Sequence, residues 1–301
     1  MALWHNGKSM CQSVLRDMGE YMIEIPESLI IAEQLNETVK GKKILEVKAA
    51  HTPHSFAWYS GEADFYSKVM EGRRIGKATG IGSMIEIELE SDDRPSENYS
   101  FVIGDGANIR YLEPEVKLPE RYQTGIILED GSALICTIAM YGAMFLIKPA
   151  EYDNPYYLVA KEKPLPGTEG FDYEYFKSLR EDISGKLSMK AFLATEQRIP
   201  GLGNGVLQDI LLEAGFQPKT KISTLREKDW KRLYESVVNV LESIRVQGGR
   251  DTEKTLFGAS GGYRTKLSKK TMGKGCCYCG TPIQKMSYLG GTVYVCPSCQ
   301  R

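Results

Sequence analysis

The sequence predicts a multidomain α+β chain: a leading helix with a β-sandwich, then a helical module, then a small metal-held hairpin. Three observations predict it. Between Lys43 and Phe145 the chain reads as short strands separated by turn signals. Beyond residue 170 the apolar residues recur at helical spacing. At the end, Cys276 and Cys279 form one Cys-x-x-Cys turn, and Cys296 and Cys299 form another.

The elements follow in order. Pro26 precedes Ser28–Leu35, an apolar stripe at helical spacing that ends before Gly41. Strand-like segments are 44–47, 84–89, 99–103, 124–128 and 133–136. The turns between them are marked by Ser91-Asp92-Asp93-Arg94-Pro95 and Glu129-Asp130-Gly131. One helix followed by many antiparallel strands suggests a sandwich or flattened barrel. Residues 151–170, rich in Pro, Gly and Tyr, read as a linker. Helices are expected at 173–183, 189–195, 205–214 and 225–246. The expected division is an extension over 1–21, a sandwich domain over 22–150, the linker, a helical domain over 171–264 and a finger over 265–301.

The two Cys-x-x-Cys turns have the spacing of a four-thiolate zinc site. Zinc favours a tetrahedron of sulfurs at about 2.3 Å, and a closed four-ligand shell is structural. Gly290 and Gly291 mark a hairpin turn between the knuckles, with 292–295 returning as a strand. Such a small segment draws its folding energy from the metal, one zinc per chain. Two disulfides or free thiols are the alternative, and disulfides are disfavoured in a reducing compartment. Cys277 is a bystander inside the first knuckle.

The chain has 301 residues, 42% apolar and 26% charged, as in ordinary globular proteins. No apolar run is long enough to span a bilayer. Residues 1–21 lack the apolar block of a secretory signal. Seven cysteines, four in zinc spacing, suit a cytoplasmic protein of bacterial type, and nucleoid association is compatible with that expectation. A monomer is expected, with no membrane contact; protein partners are not legible. The net charge of −1 hides an asymmetry: from Gly248 onward nine Lys or Arg face two Asp or Glu, a local balance of +7. Arg264, Lys266, Lys269, Lys270 and Lys274 cluster just before the cysteines, as a phosphate backbone would require. A merely solvated basic surface is the alternative. Gly19-Glu20 can be encoded by a ribosome-binding sequence, so Met22 is expected to be the natural start.

One stretch is more specific. Gln197-Arg198-Ile199-Pro200-Gly201-Leu202-Gly203-Asn204 leads directly into a helix. Glycines let the backbone approach a phosphate, the helix start offers N–H donors, and Asn204 adds a side-chain donor. With the cysteine spacing, this resembles the formamidopyrimidine-DNA glycosylase and endonuclease VIII (Fpg/Nei) family, over nearly all of Met22–Arg301. The resemblance implies a β-sandwich, a helix–two-turn–helix domain and a zinc finger. It also implies a nucleic-acid partner, DNA, bound through Gly201, Gly203, Asn204 and the basic cluster. Family members extrude a damaged base and attack its sugar with an N-terminal proline amine, forming a Schiff base.

The chain departs from that pattern where chemistry begins. The family reads Met-Pro-Glu-Leu-Pro-Glu; this chain reads Met22-Ile23-Glu24-Ile25-Pro26-Glu27. Glu24 matches the catalytic acid, although an acid beside Pro26 also suits a helix start. Ile23 stands at the nucleophile. Ser83 falls at the family's phosphate-binding lysine, Asp105 at its wedge methionine, Ala139-Met140-Tyr141-Gly142 at its partner loop, and Gly290 or Gly291 at its finger arginine. A free amine displaced by one residue loses catalytic geometry, since about 1 Å can cost about 10²-fold. The expected function is therefore a zinc-containing DNA-binding protein of the base-excision-repair glycosylase/AP lyase family whose catalysis is lost or weak. Two alternatives stand: an active glycosylase/lyase, and a protein-interaction module on the same fold.

Overall fold

The computed structural model describes residues 23–301, apart from 94, 95, 105, 139, 182 and 184. The expectations for Met22, Asp105 and Ala139 lie outside those residues.

Helix α1 (Ile25–Thr38) starts on a capping box in which the backbone N–H of Glu24 donates to the carboxylate of Glu27, 3.4 Å away. The sandwich then builds from β1 (Ile44–Ala49), β2 (Ala57–Tyr59), helix α2 (Ala63–Met70), β3 (Arg74–Ile81), β4 (Met84–Glu90), β5 (Tyr99–Gly104), β6 (Ala107–Leu112), β7 (Thr124–Leu128), β8 (Ala133–Ile138) and β9 (Gly142–Ile147). One sheet has the order β1-β7-β8-β6 and the other β2-β9-β5-β4-β3. Every pairing is antiparallel except β2 on β9. Ile44, Val47, Ile126 and Leu134 of the first sheet meet Ile75, Ile87, Phe101 and Met144 of the second in one core. The expected sandwich is therefore present.

Residues 151–170, read as a linker, contain helix α3 (Pro155–Glu162). Asn154 caps it, its side-chain oxygen accepting from the N–H groups of Tyr156 and Tyr157. Tyr157 and Ala160 pack on Ile81, Val102 and Ile147, covering the outer face of the five-stranded sheet. Glu86 is buried beneath, accepting from the Tyr157 hydroxyl at 2.8 Å and from Lys161 at 2.9 Å. The turn-forming residues that suggested a linker cap and start this helix.

The helical module holds α4 (Tyr173–Ser178), α5 (Met189–Ala194), α6 (Asn204–Ala214) and α7 (Glu227–Val246). Phe176, Phe192, Leu207, Ile210, Trp230 and Val237 form its core. Ile25 and Leu29 of α1 join this core, while Ile31 and Leu35 join the sandwich core, so α1 serves both. The last element is the antiparallel hairpin β10 (Gln284–Tyr288) and β11 (Gly291–Val295), which packs through Ile283 and Tyr294 on Leu212 of α6.

A segment after α7 returns to the sandwich. Leu256 is wholly buried among sandwich residues. Its carbonyl accepts from the backbone of Tyr111 at 2.9 Å, and its N–H donates to Gln34 at 3.0 Å.

Candidate nucleic-acid interface and metal centre

Four segments converge on the start of α6. The Ile25 N–H donates to the Gly201 carbonyl at 3.1 Å, and the Ser28 hydroxyl to the Gly82 carbonyl at 2.7 Å. Thus α1, the β3–β4 turn at Gly82-Ser83 and the loop 199–203 are tied together. Gly201 has φ of 78°, and a Cβ there would collide with the backbone of Gly82 and Ser83. At Gly203 a Cβ would enter the carboxylate of Glu24. These glycines are demanded by close approach within the chain itself.

Glu24 occupies the helix start. Its two oxygens accept from the N–H groups of Gly205 and Val206, both at 2.8 Å. These are donors that α6 leaves without intrahelical partners. Arg250 stands 3.5 Å from the same carboxylate, makes two hydrogen bonds to Glu27 at 2.9 and 2.8 Å, and lies 3.9 Å from Glu253. All four side chains are buried. Burial drives the Glu24 carboxyl upward, against the pull of Arg250. Burial likewise pushes Glu253 up to about 8, with Glu24 and Glu27 adding repulsion, so it keeps its proton at neutral pH. One guanidinium cannot neutralise three buried carboxylates, and the cluster holds a proton instead. Ile23, adjacent to Glu24, is 5% exposed and belongs to the sandwich core.

Asn204 donates through its amide nitrogen to the Thr292 carbonyl of the hairpin at 2.8 Å, while its buried side-chain oxygen has no partner. Gln208 accepts from the Tyr294 N–H at 2.6 Å. Asp209 accepts from the N–H groups of Lys266 and Leu267 and from the Tyr263 hydroxyl, at 2.9, 2.8 and 3.0 Å. One helix therefore positions the N-terminal acid, the hairpin and the approach to the cysteines.

The basic cluster is divided. Lys266 bonds Glu213 at 2.9 Å and the Tyr278 hydroxyl at 2.6 Å; Lys270 bonds the Asp251 carbonyl at 2.7 Å; Lys269 also has a partner. Arg264 and Lys274 are exposed. Leu289 and Gly290 form the hairpin turn, while Gly291, expected in the turn, opens β11 opposite Tyr288, and Ser83 is half-buried beside the loop 199–203. His51 stacks on Tyr122 at 4.1 Å, an exposed ring on the sandwich rather than part of this convergence.

Sequence reasoning missed Arg250, Glu253 and Lys190. The buried Lys190 amine donates to the Tyr288 carbonyl at 2.8 Å, and burial lowers it to about 8. Nothing local signals its contact with the hairpin turn.

The sulfurs of Cys276, Cys279, Cys296 and Cys299 all lie within 4.8 Å of one another. Cys276 is 3.9 Å from Cys299, and Cys279 is 3.4 Å from Cys296. A tetrahedron with bonds of about 2.3 Å has sulfur–sulfur edges of about 3.8 Å, so this group could hold a metal ion. Cys277 is exposed and outside the group.

No protein-family model matches the chain. Curated relatives do. Formamidopyrimidine-DNA glycosylase of Lactococcus lactis subsp. lactis is 23% identical over 283 residues, covering 93% of this chain and 100% of that one. The Streptococcus pneumoniae protein of the same name is 26% identical over 294 residues, covering 93% and 99%. The solved MutM (Fpg) protein of Thermus thermophilus superposes with a TM-score of 0.75 at 23% identity, covering 92% of this chain and 98% of that one. Lactococcus lactis Fpg in complex with abasic-site DNA gives 0.76 at 22%, covering 92% and 99%. The fold is theirs, and across 93% of its length the chain is similar in sequence to curated formamidopyrimidine-DNA glycosylases, proteins of the Fpg/Nei family.

Proposed function

We propose that this protein is a zinc-containing DNA-binding member of the family in which glycosylase/AP lyase chemistry is lost or weak. The observation that carries the proposal is the state of the N-terminal pair. Ile23 is a core side chain with no nucleophilic atom, and both oxygens of Glu24 are engaged by α6. A proton-handling acid needs hydrogen-bond access to the reacting group. Here the carboxylate caps a helix and balances Arg250.

Binding rests on different residues. Gly201, Gly203 and Asn204 form the entry to α6, and the second N–H of the Asn204 amide, whose first is held by the Thr292 carbonyl, is the donor we assign to a phosphate. Arg264 and Lys274 supply exposed charge, with Lys266, Lys269 and Lys270 adding to the field. A relative in the Lactococcus complex is bound to abasic-site DNA, which supports DNA as the ligand class. Cys276, Cys279, Cys296 and Cys299 would hold one structural zinc. Their four soft thiolates fit that ion, and a closed shell leaves no position for a reactant. The zinc would fix the hairpin against α6. The proposed division is a sandwich over 22–150, a helical domain over 171–264 and a finger over 265–301.

Fluorescence anisotropy with labelled duplex DNA tests the binding. The affinity should fall steeply as salt rises, because phosphate contacts release counterions. Asn204→Ala should weaken binding to all sequences alike, since a phosphate contact carries no base information. Affinity that ignores both salt and this substitution would remove the loop from the interface.

A further inference from the structure

Resting on the nucleic-acid reading above and deepening it, we infer that the buried Arg250 cluster couples nucleic-acid binding to one proton. The phosphate site at the start of α6 is favoured when Glu253 is neutral and weakened when Glu253 ionises. The coupling begins with packing. Glu24 accepts from the N–H groups of Gly205 and Val206, both at 2.8 Å. A Cβ at Gly205 would collide with the guanidinium of Arg250, so the cluster lies directly against the first turn of α6. Asn204, to which the phosphate is assigned, opens that turn. The segment that carries Arg250 and Glu253 is pinned in place. The Gly261 N–H donates to the Arg250 carbonyl at 3.1 Å, and the Tyr263 N–H to the Gly249 carbonyl at 2.9 Å. A side chain at Gly261 would enter the backbone of Gly249.

The charge of this centre sets the sign of the effect. Helix α1 presents Glu24 and Glu27 to it, the segment after α7 presents Arg250 and Glu253, and α6 presents its first N–H groups. Lys254 borders the centre but bonds outward to Ser260 at 3.0 Å. Asp209 of α6 is held apart, accepting from Tyr263 at 3.0 Å. With Glu253 protonated, one guanidinium meets two carboxylates, a net charge of −1; with Glu253 ionised it meets three, a net charge of −2. The added charge is buried, so salt screens it little. It stands behind the turn to which a phosphate would bring more negative charge, and it competes for the same helix start that attracts an anion. Burial pushes Glu253 up to about 8, against the pull of Arg250, so the change falls just above neutral pH. A cavity of about 10 Å³ lined by Glu27, Arg250, Glu253 and Thr255 adjoins the centre. It has room for one water, a route by which the proton exchanges with solvent. The coupling is reciprocal: a bound phosphate must hold the proton on Glu253 more tightly.

The test is carbon-13 NMR of the full-length protein labelled at its glutamate carboxyl carbons. Glu253 should be a signal that titrates near pH 8 and is missing from Glu253→Gln. Saturating duplex DNA should raise its midpoint by up to about one pH unit, the reciprocal of a ten-fold effect on affinity. Fluorescence anisotropy at fixed ionic strength reads the other side. Wild-type affinity for the duplex should fall about five- to ten-fold from pH 7 to pH 9, the effect of one added charge on the order of 10 Å away at an effective dielectric of about 20. Glu253→Gln keeps the neutral form present at pH 7 and should hold most of its affinity at pH 9. Lys190, lowered to about 8, titrates in the same range but is common to both proteins, so the difference between them isolates Glu253. A Glu253 midpoint that DNA does not move, or the same affinity profile in both proteins, overturns the coupling and leaves the phosphate loop standing. Failure to bind DNA even at pH 7 overturns both.

Discussion

At the residue scale, the decisive feature is what Glu24 does. A carboxylate that receives two backbone N–H groups and an arginine is a structural anchor, and its contacts explain why glycine stands at 203. The same cluster makes a pH prediction. Glu253 is raised to about 8 and Asp209 to about 6 in the fold, each chiefly by burial. A carboxyl whose folded pKa is raised stabilises fully below its unfolded value and loses that contribution as pH climbs through the folded one. Unfolding free energy should therefore fall between about pH 4.5 and pH 8, by at most about 1.4 kcal/mol per pH unit for each group. Glu253→Gln mimics the protonated form and should flatten the upper part of that slope, from about pH 6 to 8, in urea titrations. An unchanged slope would mean that Glu253 is ionised in the folded protein.

At the element scale, two attachments decide whether the modules act together. Leu256 reaches from the segment after α7 into the sandwich core, where it is wholly buried. Leu256→Ala should cost about 2–5 kcal/mol in urea denaturation, the range for large-to-small changes in a packed core. A loss below about 0.5 kcal/mol would mean that the segment does not dock in solution. The hairpin has its own dependence. Cys296→Ala should release zinc, measured by metal analysis, and free β10 and β11, while the helical circular dichroism persists. The helical core of Phe176, Leu207 and Trp230 owes nothing to the cysteines. One zinc per chain retained by that variant would contradict the four-thiolate assignment.

These elements also mark what could be read in advance. The helices at 189–195, 205–214 and 225–246 follow from apolar spacing, and the cysteine group from its turns, because both signals are local. Strand β3 was hidden because Gly76, Lys77 and Gly80 interrupt its alternation; β9 is a nearly continuous apolar run with no period to measure. Helix α3 was hidden by the turn residues that cap it. The Arg250 cluster could not be read at all, since its Glu27 partner lies 223 residues away. The proposed phosphate loop stood out only because glycine, proline and asparagine are crowded into a few positions beside a helix.

At the scale of the whole molecule, the fold of the solved Fpg structures persists across 92% of the chain. Function lives in sites placed on folds, so persistence of the fold does not carry the chemistry with it. The charge distribution points the same way: +7 lies from Gly248 to the end against −8 elsewhere. Such a dipolar chain can steer a polyanion to one side without forming a covalent bond to it. Among the described residues no helix is long and apolar enough to cross a membrane.

Borohydride trapping on abasic-site DNA tests the central claim most directly, because it captures any Schiff base between a protein amine and the opened sugar. The protein beginning at Met22 should bind this DNA yet yield no covalent adduct at the rate of a family member trapped in parallel. Slow adduct formation at high protein concentration is expected from any neighbouring amine. Placing proline at the nucleophile position by Ile23→Pro should not restore full activity, because Glu24 would remain held by α6. Efficient single-turnover trapping by the unaltered protein, abolished by Glu24→Gln, would contradict the account.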